Sequence, residues 1–458
     1  MKFIYQVGRF DKNYNKDINF IIDDKTYKAK LSSISLKNYF QKQPKLILIY
    51  PVSIMYNQSA LQNNDEFSQI ISEKISNYLE NPKEVLKVHP HNKDADDFLV
   101  IHSIGEYKLF SNIEKFEGTY DDIVLAILCD MIKRLLEEKN KENEFYIDIS
   151  SGHNIYVSAM LEALRHFSVF SKLLNWQNKK LIPKTYITFS DPILGSSAKE
   201  FKIHIQELRF KVFFSSPVSK NDIDKNKKDR ISKKLYENNK ERKNKLDEFF
   251  EKFIILYSAI KNNTPLVLYH FEYNKHNEII NFIKEIIEEI ENKLSNNWRK
   301  SPSLSKDDYL KIILSLGFYA GIVEVLENKN IKKYDFEKGV GLDEIKHKAK
   351  CIYEIFNLNP LIHILGHEIY NLKEGKDEKG KKLIEKVSEK WEKLDKYLYG
   401  EGNSFKERNF IAHAGFERNI TEVRKENNQL YFRYDSKFNE EIKSCLKNIF
   451  DIRNEDIL

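Results

Sequence analysis

Up to about residue 218 short β-rich runs alternate with helical stretches, and from about residue 246 almost every segment is helical. That change of texture restricts this chain more than any other feature. Residues 3–7 are a strand candidate, and 46–50 form a continuous apolar run ending at Pro51, as in a strand buried on both faces. Residues 19–31 read as a hairpin turning at Asp23 and Asp24, and 98–101, 145–149 and 185–189 as further strands. Residues 201–208 alternate as an antiparallel or edge strand. Between them, 65–79, 120–138 and 155–174 carry helical periodicity; Ile123, Ile127, Leu128, Met131 and Leu135 share one face. Strands alternating with helices predict βαβ units and a mostly parallel sheet. The fold class expected is α/β plus all-α: a Rossmann-like, doubly wound domain over 1–218, then a helical domain over 246–458.

In the second half, 246–260, 277–294, 307–326, 342–356, 361–372, 381–398 and 439–450 are expected helices. One hairpin is expected, with 421–425 and 430–434 flanking 426–429. Gly339-Val340-Gly341 reads as a turn and cap. Residues 219–245 separate the halves. Lys220 to Lys245 hold eleven Lys/Arg against five Asp/Glu, which equals the net charge of +6 of the whole chain. The segment reads as a basic linker or connecting helix with a solvated face, or as a strip that tracks phosphates. The remainder is near neutral, so overall basicity does not make this a nucleic-acid binder.

Apolar residues at 41% support sizeable cores, and no apolar run approaches the ~20 residues of a membrane span. No membrane partner is expected. The N-terminus opens on a strand-like run, not a secretory leader. Three widely spaced cysteines without a CxxC or CxxH spacing fit a reducing compartment and argue against a thiolate zinc site. A cytoplasmic location is expected.

Two loops follow strands in the first half: Gly8-Arg9-Phe10-Asp11, and Ser150-Ser151-Gly152-His153-Asn154 directly before a helix. Ligands of open α/β sheets sit beyond the carboxyl ends of the strands, and a small-residue loop entering a helix offers N–H groups to an anion. The bland alternatives are a surface turn and an ordinary capped βα turn. No GxGxxG or GxxxxGK[ST] is present, so dinucleotide-fingerprint and P-loop readings lack support.

The second constellation is Arg408-Asn409-Phe410-Ile411-Ala412-His413. Arginine supplies a fixed charge for phosphate and histidine a proton shuttle near neutrality. Together they suit metal-free RNA cleavage, in which a ribose 2′-hydroxyl attacks the adjacent phosphate. On a helix Asn409 and His413 share a face, while Arg408 lies roughly 140° around from His413, so its long side chain must reach back or a second subunit must supply a copy. Chance predicts about 0.3 occurrences of Arg-x4-His in a chain of this composition, and a packing role is the alternative. His363 and His367 also share a helix face beside Glu368, but without H-E-x-x-H order or a third ligand they read as packing or surface residues; no metal site is expected.

Taken together, the strand–SSGHN–helix loop in a Rossmann-like domain, the charged connector and the helical half with RNFIAHAG resemble the CRISPR-associated CARF–HEPN ribonucleases, the accessory RNases of type III systems. The resemblance spans the chain in architecture and is carried by RNFIAHAG and, less specifically, by DISSGHN. It implies a sensing domain that binds a cyclic oligoadenylate, two copies forming one ligand pocket, and paired helical domains in a homodimer or higher oligomer that builds a composite, metal-independent RNase site. The expected products are a 2′,3′-cyclic phosphate and a 5′-hydroxyl from single-stranded RNA. Carried over, Arg408 stabilises the phosphate, His413 transfers a proton or binds phosphate, and Asn409 orients one of them. Gly8, Arg9, Phe10, Ser150, Ser151, Gly152, His153 and Asn154 map to the ligand loops. The activator expected is cyclic tetra-adenylate rather than hexa-adenylate, with no cofactor. Ser151-Gly152-His153 departs from the Thr-Gly or hydrophobic residues common there, which leaves His153 as a base-reading group or a participant in activator cleavage. A non-catalytic nucleotide sensor scaffold and a constitutive RNase toxin are the competing functions.

Overall fold

The computed structural model describes residues 1–61, 66–74, 77–109, 112–151, 154–192, 198–224, 230–376, 380–398 and 404–450. The chain divides into two compact units, Met1–Lys211 with Ile283–Leu310, and Val212–Phe282 with Lys311–Leu458.

The first unit is built on an eight-stranded sheet. Its strands are β1 (Lys2–Val7), β2 (Ile18–Ile22), β3 (Lys25–Ala29), β4 (Lys45–Pro51), β5 (Asp97–Ile101), β8 (Glu144–Asp148), β9 (Lys184–Ser190) and β10 (Glu200–Leu208), in the order β3-β2-β10-β9-β8-β1-β4-β5. The five strands from β9 to β5 are mutually parallel. β1 runs between β4 and β8, so the chain winds outward from it in both directions, as expected of a doubly wound domain. β10 is antiparallel to β9, as the alternation predicted, but it is not an edge strand, because β2 pairs on its other side. Asp23 and Asp24 both take left-handed backbone at the β2–β3 turn (φ 46° and 61°), the conformation a tight two-residue hairpin requires.

Alternate β1 residues serve opposite layers, which explains why both of its faces are largely apolar. Ile4 joins a core with Leu46, Leu48, Ile34 and Leu36, the last two from helix α1 (Ser32–Tyr39). Phe3 and Tyr5 face the other way. Phe3 stacks on Phe145, which meets Phe167 of α3 (Asn154–Leu174), and Tyr5 donates to Asp130 of α2 (Tyr120–Glu137). A hairpin the sequence reading missed, β6 (Ile104–Leu109) with β7 (Asn112–Glu117), precedes α2. The helix expected over 65–79 is described as Glu66–Lys74.

The second unit packs helices around an aromatic core. In α4 (Lys240–Lys261) Phe253 and Tyr257 meet Phe318, and Phe214 stacks on Tyr257. The basic segment is folded into this unit rather than strung between domains. Ile231 and Tyr236 are buried, Arg230 and Ser232 bind Asp247, and Asp222 pairs with Lys311. Helices α5 (His276–Ser295) and α6 (Lys306–Asn328) follow, and the stretch from within one to within the other is the part assigned to the first unit. α6 has the length and composition to cross a membrane, contrary to the expectation that no run would. Its most apolar window is 83% buried, as in a core helix.

Next come α7 (Leu342–Ile355), α8 (Asn359–Glu374), α9 (Glu407–Ala412) and α10 (Asn439–Ile449). The expected late hairpin is present as β13 (Thr421–Glu426) and β14 (Gln429–Tyr434), and it is widened to four strands by β11 (Val340–Gly341) and β12 (Glu392–Lys393). The long helix expected over 381–398 is absent. A single turn, Leu383–Lys386, ends where Val387 takes extended backbone, and β12 and a 3₁₀ turn follow, because Glu392 and Lys393 pair with β13 instead of continuing a helix.

Candidate functional sites

In the first unit the β1 and β8 loops open side by side at the point where the winding reverses, where ligands of doubly wound sheets bind. A cavity of about 460 Å³ lies there, lined among others by Gln6, Arg9, Lys30, Ser32, Ser150, Ser151, Phe189 and Asp191. Its polar floor is tied together. Gln6 and Asp148 are register partners across β1 and β8. The Gln6 amide donates to Ser32 Oγ at 2.9 Å and to Asp148 Oδ1 at 3.4 Å, and its carbonyl accepts from the Ser33 N–H at 3.2 Å. Asp148 also accepts the Ser150 N–H at 2.9 Å, and Ser150 Oγ accepts the Ser190 N–H at 2.9 Å. Three strand ends and the start of α1 are thus fixed around the cavity. Burial pushes the Asp148 carboxyl up to about 6, against hydrogen bonds from Ser150 and Ser32 that pull it down. Ser151 Oγ is buried in the cavity wall with no hydrogen-bond partner among the described residues.

Of the loop residues expected to bind a ligand, the structure places Arg9, Ser150 and Ser151 on this cavity. Arg9 is paired with Asp11 at 2.5 Å. Phe10 is instead a core residue, buried edge-on against Tyr14, Phe67 and His89. Gly8 is also outside the lining. A Cβ there would lie 2.1 Å from the buried Tyr50 ring, so packing demands the glycine. Asn154 is exposed as the first residue of α3, and Gly152 and His153 lie outside the described residues. The sequence reading missed Gln6, Lys30, Ser32, Asp148 and Asp191. Gln6 and Asp148 carry a usable signal, since each is a polar residue inside an otherwise apolar strand candidate.

In the second unit the Arg–His segment forms the short helix α9. Phe410 is fully buried and anchors it, while Arg408 and His413 are exposed and Asn409 is half-buried. Arg408 has no ion-pair partner among the described residues. His413 caps the helix, and its N–H reaches the Asn409 carbonyl at 2.9 Å, keeping the two residues a turn apart as predicted. The chain then reverses through left-handed Ala414 (φ 50°) and Gly415 (φ 85°). The Gly415 N–H returns to the Phe410 carbonyl at 2.8 Å and the Ala414 N–H to Ile411 at 3.4 Å, the paired bonds of a Schellman stop.

The Gly415 carbonyl accepts from the buried Tyr434 hydroxyl at 2.9 Å, and a Cβ on Gly415 would sit 2.8 Å from that same oxygen. Past the reversal Glu417 is fully buried and accepts the N–H groups of Asn419 and Ile420, with burial raising its carboxyl. His413 Nδ1 meets Glu368 Oε2 of α8 at 3.3 Å. Glu368, noted in the sequence only as a neighbour of His367, therefore orients the imidazole. His363 and His367 are exposed on α8, and no group of three or more His, Cys, Asp or Glu able to hold a metal occurs among the described residues.

Comparison with known proteins follows this division. The model of the CARF domain of the CRISPR system endoribonuclease Csx1 matches residues 2–192, and that of its HEPN domain matches 358–437. The CRISPR system endoribonuclease Csx1 of Methanocaldococcus jannaschii is 24% identical over 422 residues, covering 87% of this chain and 81% of the relative.

Proposed function

This chain belongs to the CRISPR-associated CARF–HEPN ribonucleases, and from that premise we propose that it cleaves single-stranded RNA when a cyclic oligoadenylate, with the tetra-adenylate favoured, occupies its CARF cavity. The observation that carries this reading is the exposure of Arg408 and His413 on one short helix whose remaining side is locked into the HEPN core by Phe410 and Gly415. A fixed cation and an imidazole oriented by Glu368 are exposed there, held by buried neighbours.

The chemistry follows from the groups. The substrate's 2′-hydroxyl loses its proton and its oxygen bonds to the adjacent phosphorus. The bond from phosphorus to the 5′-oxygen breaks, and that oxygen takes up a proton. His413, with Glu368 accepting from Nδ1, presents Nε2 for proton transfer. Arg408 neutralises the charge that develops on the phosphate, and Asn409 orients it. The products are a 2′,3′-cyclic phosphate and a 5′-hydroxyl, with no metal in the step. Arg408 and His413 project from different sides of their turn, which supports a site completed by a second copy in a homodimer. In the CARF unit, Arg9 and Lys30 supply charge for phosphates, and Ser150 and Ser151 supply hydroxyls for ribose or base. The activator shifts the enzyme toward cleavage by binding the active arrangement more tightly than the inactive one.

The test is cleavage of a fluorescent single-stranded RNA in EDTA, with and without cyclic tri-, tetra- and hexa-adenylate. Strong activation by tetra-adenylate, lost in His413→Ala with activator binding retained, is expected. Cleavage without any ring, unaffected by changes at Ser150 and Ser151, would instead identify a constitutive RNase. No cleavage under any condition would identify a sensor scaffold.

A further inference from the structure

Behind the RNase segment a line of hydrogen bonds runs through the HEPN unit to a histidine that no sequence motif marks. The Tyr434 hydroxyl holds the Gly415 carbonyl, and the Tyr434 backbone N–H donates to the Tyr334 hydroxyl at 3.0 Å. Tyr334 Oη lies 2.5 Å from His270 Nδ1, and His270 Nε2 lies 2.5 Å from Asn439 Oδ1. The proton positions along this line are determined. Asn439 Oδ1 can only accept, so His270 Nε2 carries the hydrogen and the neutral ring leaves Nδ1 bare. Nδ1 therefore accepts the Tyr334 hydroxyl proton, while Tyr334 Oη accepts from the Tyr434 N–H. Burial lowers the His270 pKa and keeps the ring neutral, as this arrangement needs. The imidazole also stands edge-on to the Tyr434 ring, with centroids 5.2 Å apart at 84°. His270 thus grips Tyr434 twice, through Tyr334 and through the ring.

We propose that His270 is a positioning residue for the RNase reaction, acting through Tyr334 and Tyr434 on the Gly415 carbonyl and so on the reversal that sets His413. The inference rests on the reading of Arg408 and His413 as the RNase pair. The strained Ala414–Gly415 reversal makes this point sensitive. Two consecutive left-handed residues, one of them an alanine, persist only where their surroundings impose them, and the Tyr434 hydroxyl is one such tie. The two bonds of His270 are not equivalent. The Asn439 bond ends on α10, whereas the Tyr334 bond continues to the buried Tyr434 and, through its hydroxyl, to the Gly415 carbonyl.

That asymmetry supplies the test in the full-length protein with saturating activator. His270→Asn keeps an acceptor near the Nδ1 position and gives up Asn439. His270→Gln keeps a donor near the Nε2 position and gives up Tyr334. Expected are a tenfold or greater fall in kcat for His270→Gln and for Tyr334→Phe, little change in KM, no further fall in the double variant, and recovery of most of that loss in His270→Asn. Folded fraction and melting temperature are measured for each variant, and kcat is expressed per folded protein. Equal kcat per folded molecule in all variants would overturn the proposal, as would equal losses in His270→Asn and His270→Gln. His413→Ala is run alongside. If it still cleaves at the wild-type rate, the reading of the site fails; if it is inactive while His270→Gln matches wild type, only the positioning role fails.

Discussion

Replacing Asp148 by Asn tests the electrostatics of the CARF cavity most directly. The carboxyl is fully enclosed at the end of β8 and its pKa is raised from 3.8 to about 6 by burial. At 1.36 kcal/mol per pKa unit, carrying Asp148 ionised costs the folded state about 3 kcal/mol relative to an exposed carboxylate. The sign follows from linkage. Because the folded pKa is raised, the native state holds this proton more tightly than the unfolded chain does. The group's favourable contribution is complete below about pH 4, declines as pH rises toward 6, and is gone above it. Asparagine keeps an acceptor for the Ser150 N–H and does not titrate.

The stability of Asp148→Asn relative to wild type should therefore grow with pH, by about 1.4 kcal/mol between pH 5 and pH 7.5. Every other titrating group is shared and cancels in the difference. Urea unfolding followed by tryptophan fluorescence suits the measurement, because Trp176 and Trp298 lie in the CARF unit and only Trp391 lies in the other. A difference between the two proteins that is the same at both pH values would refute the buried, proton-retaining carboxylate.

Gly8→Ala should lower the melting temperature by an amount corresponding to about 1–3 kcal/mol, since its Cβ would overlap a Tyr50 ring held by Asn92; thermal scanning checks this. Ser151→Ala removes a buried hydroxyl that has no partner among the described residues, so stability should hold or rise by about 1 kcal/mol, while the activator concentration for half-maximal cleavage should rise roughly tenfold, a loss of about 1.4 kcal/mol. Glu368→Gln keeps an acceptor for His413 but removes its charge, and should lower kcat roughly tenfold with activator affinity unchanged, an effect of about 1.4 kcal/mol on the barrier.

Sequence by itself determined the periodic features. The apolar run of β4 announced a strand covered on both faces, and the texture change after residue 218 announced a helical second half. The segment from Arg408 to His413 stood out as the pair proposed to handle phosphate, because its residue types and their spacing of about one helical turn are local features. Tertiary structure alone decided which loop residues face the cavity. Gly8, Arg9 and Phe10 are consecutive, yet only Arg9 lines it; Phe10 turns into an aromatic core contributed by residues far away in the chain, and Gly8 yields to Tyr50. The same holds for Glu368 beside His413, 45 residues apart, and for His270 bound to Asn439, 169 apart. Periodicity records which side of an element is buried, because that depends on neighbours three or four residues away. It carries no record of which distant side chain completes a hydrogen bond, because only the packing of the finished fold selects that partner.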